Sequence, residues 1–359
     1  MPIRLELLRE KMDALGLPAL LVTRQEHLYY LAGFTGSTGV LVITADRQSF
    51  LTDFRYVLQA GQEAPDWELV KVEQTLHATV REVLSGLQAS PVGFEPEHLT
   101  VAQFRQYGGD DPSVPYVLTP APNLIEGLRL VKDAGELAAI REATHITDAA
   151  YAHLLTHVAP GVTEYELALE AEGFMRRQGA ETAFDIIVAT GARGALPHAQ
   201  PGPRPLEVGD LVVVDMGARY HQYCSDMTRT FAVRDAGPTA REMYRICLEA
   251  QLAGVHGIRA GQTGREADAL VRDIIEREGY GEYFGHGTGH GVGLEVHEAP
   301  RLSRTAEDTL PAGCVVTVEP GIYLPEVGGV RIEDLCLVTE AGLEMLTGTP
   351  KPPELPIIG

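Results

Sequence analysis

The 359-residue chain contains four cysteines (Cys224, Cys247, Cys314 and Cys336), and no two of them form a C-x-x-C pair. That is too few for a disulfide framework in a chain of this length, so a reducing, cytoplasmic setting is expected, with each thiol a small buried hydrophobe. Apolar runs are short. No window of about 18 apolar residues occurs, so a membrane-spanning helix is not expected. The first residues are charged (Arg4, Glu6, Arg9, Glu10, Lys11), where a secretory signal would carry an apolar core. Basic residues are scarce, since 29 Lys and Arg against 50 Asp and Glu leave a formal charge of −21. Phosphate recognition needs a basic footprint, so nucleic acid is excluded as a partner. Three catalytic or cofactor signatures are also missing. Without G-x-G-x-x-G there is no dinucleotide fingerprint; without H-E-x-x-H or G-x-S-x-G the common zinc-protease and serine-hydrolase readings fall away.

What is present reads as two domains, each long enough for its own core. The first third alternates helix and strand signals. Leu5, Leu8, Met12 and Leu15 fall at helical spacing and stop at Gly16; apolar runs at 19–22, 40–43 and 49–53 read as strands. This pattern predicts an α/β layer domain. Pro112, Pro115, Pro120 and Pro122 mark a boundary, which divides the chain into 1–122 and 123–359. The second part opens with long amphipathic helices, and three capping boxes announce helix starts: Thr163-x-x-Glu166, Thr239-x-x-Glu242 and Thr263-x-x-Glu266. Strand pairs follow, 211–215 with 224–233 and 314–319 with 330–338. No repeat with a period of roughly 20–50 residues is found.

Four acids interrupt these apolar strands: Asp215, Asp226, Glu319 and Glu333. A carboxylate leaves water only at a cost of several kcal/mol or by giving up its charge, so acids in such places need compensating cations. Arg229 and Arg331 are close in sequence, but divalent metals suit hard carboxylate oxygens better. An imidazole lies nearby in the run 284–293, FGHGTGHGVG. Its glycines rule out a stable helix, so His286 and His290 are not a helical i,i+4 metal pair. The same glycines give a backbone permissive enough to bring a histidine against a charged centre.

These segments, VVDMG at 213–217, SDMTRT at 225–230, GHGTGHG at 285–291, TVEPG at 317–321 and VRIED at 330–334, resemble in order the motifs of the proline-specific metallopeptidases. That family comprises the Xaa-Pro aminopeptidases and Xaa-Pro dipeptidases (prolidases), relatives of methionine aminopeptidase with the pita-bread fold. The resemblance is strong over about 125–345 and looser before it. It implies a creatinase-type α/β N-terminal domain followed by an α+β pita-bread catalytic domain. It also implies that Asp215, Asp226, His290, Glu319 and Glu333 hold two divalent ions, Mn²⁺ first, with Co²⁺ or Zn²⁺ as alternatives.

By the same resemblance, a hydroxide held between the ions attacks the bond before proline. Glu319 acts as general base and then acid, His297 hydrogen-bonds near the developing oxyanion, and His198 lies beside the substrate. His286, Phe184, Arg331 and Arg301 belong to the substrate surround, with Thr228 and Tyr323 in support. The N-terminal segments 29–37 and 52–56 look more like Xaa-Pro aminopeptidases, so removal of an N-terminal residue ahead of proline is expected. A dipeptidase, which must grip a free carboxylate with a residue such as Arg301 or Arg55, is the alternative. A metal-free creatinase-like C–N hydrolase and a non-catalytic binding module are remoter readings, because both should lack the ligand set. The resemblance further implies a homodimer acting on peptides.

Overall fold

The computed structural model describes residues 2–359, which divide into two compact units, one ending at Arg129 and the other spanning Leu130–Gly359. In the first unit the expected helix forms over Pro2–Ala14, and a mixed six-stranded sheet runs in the order Glu68–Lys71, Gln48–Thr52, Val40–Thr44, Ala19–Val22, Val92–Phe94, Leu118–Pro120. The central strand Ala19–Val22 is buried along its whole length, antiparallel to Val40–Thr44 and parallel to Val92–Phe94. The proline cluster does not mark the divide. Pro120 ends the edge strand, where the missing N–H costs no ladder bond. The chain then continues through buried Leu124 and Ile125 to the short helix Glu126–Arg129, and Leu128 accepts a hydrogen bond from the Tyr30 hydroxyl at 3.2 Å. The unit therefore closes after Arg129 rather than after residue 122.

The second unit contains two similar helix pairs, Ala134–Leu155 with Glu164–Arg177 and Pro238–Gly257 with Gly264–Arg277. Thr163 and Thr263 each cap a helix in a complete capping box. Thr239 does not. The helix starts one residue earlier at Pro238, which suits the first helical position because its N–H would be unsatisfied there anyway, and Gly237 becomes the cap without a side-chain bond. Against the first pair lies a four-stranded sheet in the order Ile357–Ile358, Met227–Val233, Leu211–Met216, Ile187–Thr190. A five-stranded sheet runs Glu298–Leu302, Gly289–Gly291, Val315–Val318, Asp334–Thr339, Gly342–Met345. The facing sides of helices and sheets form two apolar cores, one around Leu154, Leu167, Val214 and Phe231, the other around Cys247, Val271, Val316 and Val338. All four cysteines are buried and unpaired, as the sparse spacing predicted. Among the described residues, no helix is long and apolar enough to cross a membrane.

Candidate metal centre

The five side chains singled out as ligands line one cavity of about 450 Å³. Asp215 sits one residue before the end of strand Leu211–Met216, opposite Thr228 in the antiparallel register. Asp226 immediately precedes Met227–Val233; His290 is the middle residue of Gly289–Gly291; Glu319 follows Val315–Val318. Glu333 lies where the structure departs from the expected continuous strand at 330–338. Gly328–Arg331 pairs with Gly321–Leu324 as a separate ribbon, whereas Asp334–Thr339 pairs with Val315–Val318. The break has a cause in hydrogen bonding. The Ile332 N–H donates to the Pro320 carbonyl at 3.3 Å and the Glu333 N–H donates to the Thr228 carbonyl at 3.1 Å, so the backbone changes partners there.

The glycines around His290 work by size rather than by backbone freedom. Neither Gly289 nor Gly291 has a positive φ. A Cβ at Gly289 would collide with the Thr317 carbonyl, and one at Gly291 with the Ala299 carbonyl. Neighbouring strands can thus close on the histidine from both sides.

The donor set fits divalent cations. His290 Nδ1 lies 3.1 Å from the Gly291 carbonyl, which can only accept, so Nδ1 carries the proton and Nε2 presents a lone pair. That lone pair faces Glu319 Oε1 at 3.2 Å and Asp226 Oδ2 at 3.7 Å. One ligand atom each from Asp226, His290 and Glu333 fall within 4.8 Å of one another. Asp215 Oδ2 accepts a hydrogen bond from Arg331 at 2.5 Å, while its Oδ1 is buried with no partner. Acceptors facing acceptors in a buried cluster call for positive charge between them, and oxygen ligands with one imidazole suit hard to borderline divalent ions.

The titration behaviour has the same origin. Burial, reinforced by Glu333, Asp215 and Glu319, pushes Asp226 well above the usual carboxylate range. Burial and then the Glu319 and Asp215 charges do the same to Glu333. Asp215 is raised by burial against the pull of Arg331. Glu319 goes the other way. Burial opposes its ionisation, but in the metal-free protein a second proton, on His290 Nε2, can be donated to it, and that hydrogen bond with the charges of His290 and Arg331 prevails and holds it at about 2.

A second layer fixes these groups. Arg331 donates to Thr228 Oγ1 at 3.0 Å and to Tyr323 Oη at 2.8 Å, and Thr228 Oγ1 donates to Glu333 Oε2 at 2.6 Å. His286 Nε2 is 2.8 Å from the same Tyr323 hydroxyl. Thr317 Oγ1 accepts from the His290 N–H at 3.1 Å and donates to Glu319 Oε1 at 3.2 Å. Sequence reasoning missed the pair behind the glycine loop. Asp268 accepts from the Thr288 N–H and hydroxyl, and Arg272, bonded to Asp268, donates to the Phe284 and His286 carbonyls. Its signal was available, since an acid and an arginine four residues apart occupy the buried face of helix Gly264–Arg277.

Phe184, His198, His286, His297, Arg301 and Arg331 all line the cavity, together with Asp185, Gln200 and Ser303, which sequence reasoning did not select. The His297 ring lies 4.2 Å from that of His290, and burial, then the His290 and Arg301 charges, holds it down at about 4. Burial also lowers His286. Both imidazoles are therefore neutral near pH 7. The Arg301 guanidinium makes no ion pair or hydrogen bond to any described residue, whereas Arg55 is held by Asp53 at 2.7 Å.

The chain matches the model of metallopeptidase family M24 over residues 138–340 and that of the creatinase/prolidase N-terminal domain over 4–131. It is similar to the solved structure of the Xaa-Pro dipeptidase from Bacillus anthracis, with 46% identity, a TM-score of 0.95 and 99% of each chain covered. An Xaa-Pro dipeptidase from Pyrococcus horikoshii is 37% identical, with 95% of each chain covered. The structure of the X-Pro aminopeptidase from Thermotoga maritima matches with 35% identity, a TM-score of 0.90 and 99% of each chain covered.

Proposed function

The chain belongs to metallopeptidase family M24, and from that premise we propose that it hydrolyses the peptide bond preceding proline, acting as an Xaa-Pro dipeptidase. The observation that carries this choice is Arg301. It is a cation lining the same cavity as the five ligand-type residues and has no carboxylate partner of its own. A dipeptide brings a free carboxylate close to its scissile bond, and a guanidinium binds such a group through two parallel hydrogen bonds. The relatives named dipeptidases, at 46% and 37% identity, support the same side. The aminopeptidase reading expected from the N-terminal segments stands as the second. Its support is full-length similarity to the Thermotoga maritima X-Pro aminopeptidase.

In this reading Asp215, Asp226, His290, Glu319 and Glu333 hold two divalent ions, with Mn²⁺ favoured by the oxygen-rich set. When bound, such ions lower the pKa of water and polarise the scissile carbonyl. The chain supplies the rest. Glu319, ionised across the working range, accepts the attacking water's proton and passes it to the proline nitrogen. Neutral His297 donates a hydrogen bond near the developing oxyanion, and His198 lies beside the substrate. Phe184 offers an apolar wall to the pyrrolidine ring. The imide nitrogen before proline has no N–H, so a peptidase that must grip the amide N–H cannot use this bond, whereas a site that acts on the carbonyl side can. The proposal is tested with a length series, Xaa-Pro, Xaa-Pro-Yaa and Xaa-Pro-Yaa-Zaa, assayed with Mn²⁺, Co²⁺ and Zn²⁺. Preference for the dipeptide supports it; faster cleavage of the longer peptides transfers the assignment to the aminopeptidase.

A further inference from the structure

A second cluster of metal-ligating side chains lies where helix Ala134–Leu155 ends and the chain turns into helix Glu164–Arg177. His153 is in the last turn of the first helix, His157 just beyond it, and Glu170 on the second. One ligand atom from each lies within 4.8 Å of the others, and none of the three lines the catalytic cavity.

The hydrogen bonding orients these groups. His157 Nδ1 is 3.1 Å from the His153 carbonyl oxygen and 3.1 Å from Thr156 Oγ1. The carbonyl can only accept, and the Thr156 hydroxyl already gives its proton to that same carbonyl at 2.7 Å. His157 Nδ1 therefore carries the proton and Nε2 presents a lone pair. That lone pair faces Glu170 Oε2 at 3.7 Å, a carboxylate with no lysine or arginine partner among the described residues. His153 Nε2 approaches the same oxygen at 3.2 Å. The His153 ring is stacked on Phe174 at 5.0 Å and lies 4.6 Å from the His157 ring. Phe174 and Glu170 are four residues apart on one helix, so the stack also sets the imidazole against the carboxylate. A backbone carbonyl that fixes the tautomer of a histidine, leaving its other nitrogen aimed at a carboxylate, is the outer arrangement found around metal-bound imidazoles. All three side chains are partly exposed, which leaves room for water to complete a shell.

We propose that His153, His157 and Glu170 form a separate site for a borderline divalent ion, Zn²⁺ first, that ties the two helices together from outside the catalytic cavity. Two imidazoles and one carboxylate with an open side suit Zn²⁺ better than Mn²⁺ or Mg²⁺.

The test is equilibrium dialysis of the full-length protein against Zn²⁺, with wild type compared to His157→Ala and to Glu170→Gln, which keeps side-chain size. The quantity read is the difference between wild type and variant, so it is independent of how many ions the catalytic cavity takes and of what that cavity hydrolyses. Wild type should hold one more equivalent than either variant, with affinity for that equivalent at least about tenfold weaker in each. Circular dichroism and peptide hydrolysis should be unchanged, and Zn²⁺ should raise the melting temperature of wild type more than that of the variants. Equal Zn²⁺ stoichiometry and affinity in all three proteins would overturn the proposal. A histidine–glutamate pair held by a proton alone gives that outcome.

Discussion

The two halves of the second unit use one plan with different contents. In each, a helix pair packs on antiparallel strands, with a capping threonine at 163 or 263 and a left-handed glycine after the second helix, Gly179 at φ 79° and Gly279 at φ 87°. Each places one acid at the end of its central strand, Asp215 or Glu319, and a second just before the strand paired to it, Asp226 before Met227–Val233 and Glu333 before Asp334–Thr339. The acids are thus set by a repeated backbone device. The halves differ in the strand on the other side of the central one. There the first half has Ile187–Thr190 and the second has Gly289–Gly291 with His290. The difference shows in the chemistry. Asp215 is tied to Arg331 and raised by burial, while its counterpart Glu319 is held ionised with the help of His290. A symmetric scaffold thereby places carboxylates of unequal surroundings at matched positions.

The largest expected effect comes from removing an acid that both halves need. Asp226→Asn and Glu333→Gln should each lower kcat by more than ~10³-fold, beyond the loss of a single oxyanion-stabilising donor, with the fold retained by circular dichroism. Near-normal turnover in either variant would sink the site assignment.

Removing the metal should expose the buried carboxylates. Asp226 and Glu333 have folded-state pKa values raised above their unfolded ones. In metal-free protein the folded state then binds more protons than the unfolded state. Their contribution to stability is fully present below the unfolded carboxylate range, near 4, and is lost as pH rises through their folded-state values. The melting temperature of apo protein should therefore drop between pH 5 and 8, and divalent metal should remove that slope while releasing protons. A slope of the opposite sign in the apo protein would contradict the charge account.

Arg301→Ala should cost about 10–100-fold in kcat/KM for Xaa-Pro, the worth of a charge-assisted hydrogen bond, and much less for longer peptides. Equal losses across the length series would remove Arg301 from carboxylate recognition. The smallest effects are at the matched caps. Thr163→Ala and Thr263→Ala should each destabilise by ~1 kcal/mol without changing kcat, as denaturant unfolding would show.

Much of the site was legible because the sequence puts charge where apolar strands should continue. Asp215, Asp226, Glu319 and Glu333 stood out by that rule, and the structure gathers them. What stayed hidden depends on contacts between distant residues. The break at 332–333 is set by hydrogen bonds to Pro320 and Thr228, which no local pattern announces. Thr239 fits the capping-box spacing, but Pro238 begins the helix first. The prolines near residue 120 resemble a linker yet lie beside an edge strand. The glycines flanking His290 suggested backbone freedom, and their role is close strand approach. The equivalence of the halves has a spacing near 100 residues and a shared geometry with little shared sequence, so it emerges only in three dimensions.

The central claim is that five side chains from two matched halves hold two divalent ions. The most direct measurement is the number of Mn²⁺ ions retained per chain after incubation and gel filtration, in wild type and in Glu333→Gln. The account predicts two ions in wild type and at most one in the variant. Fewer than one in wild type, or two in both, would contradict it.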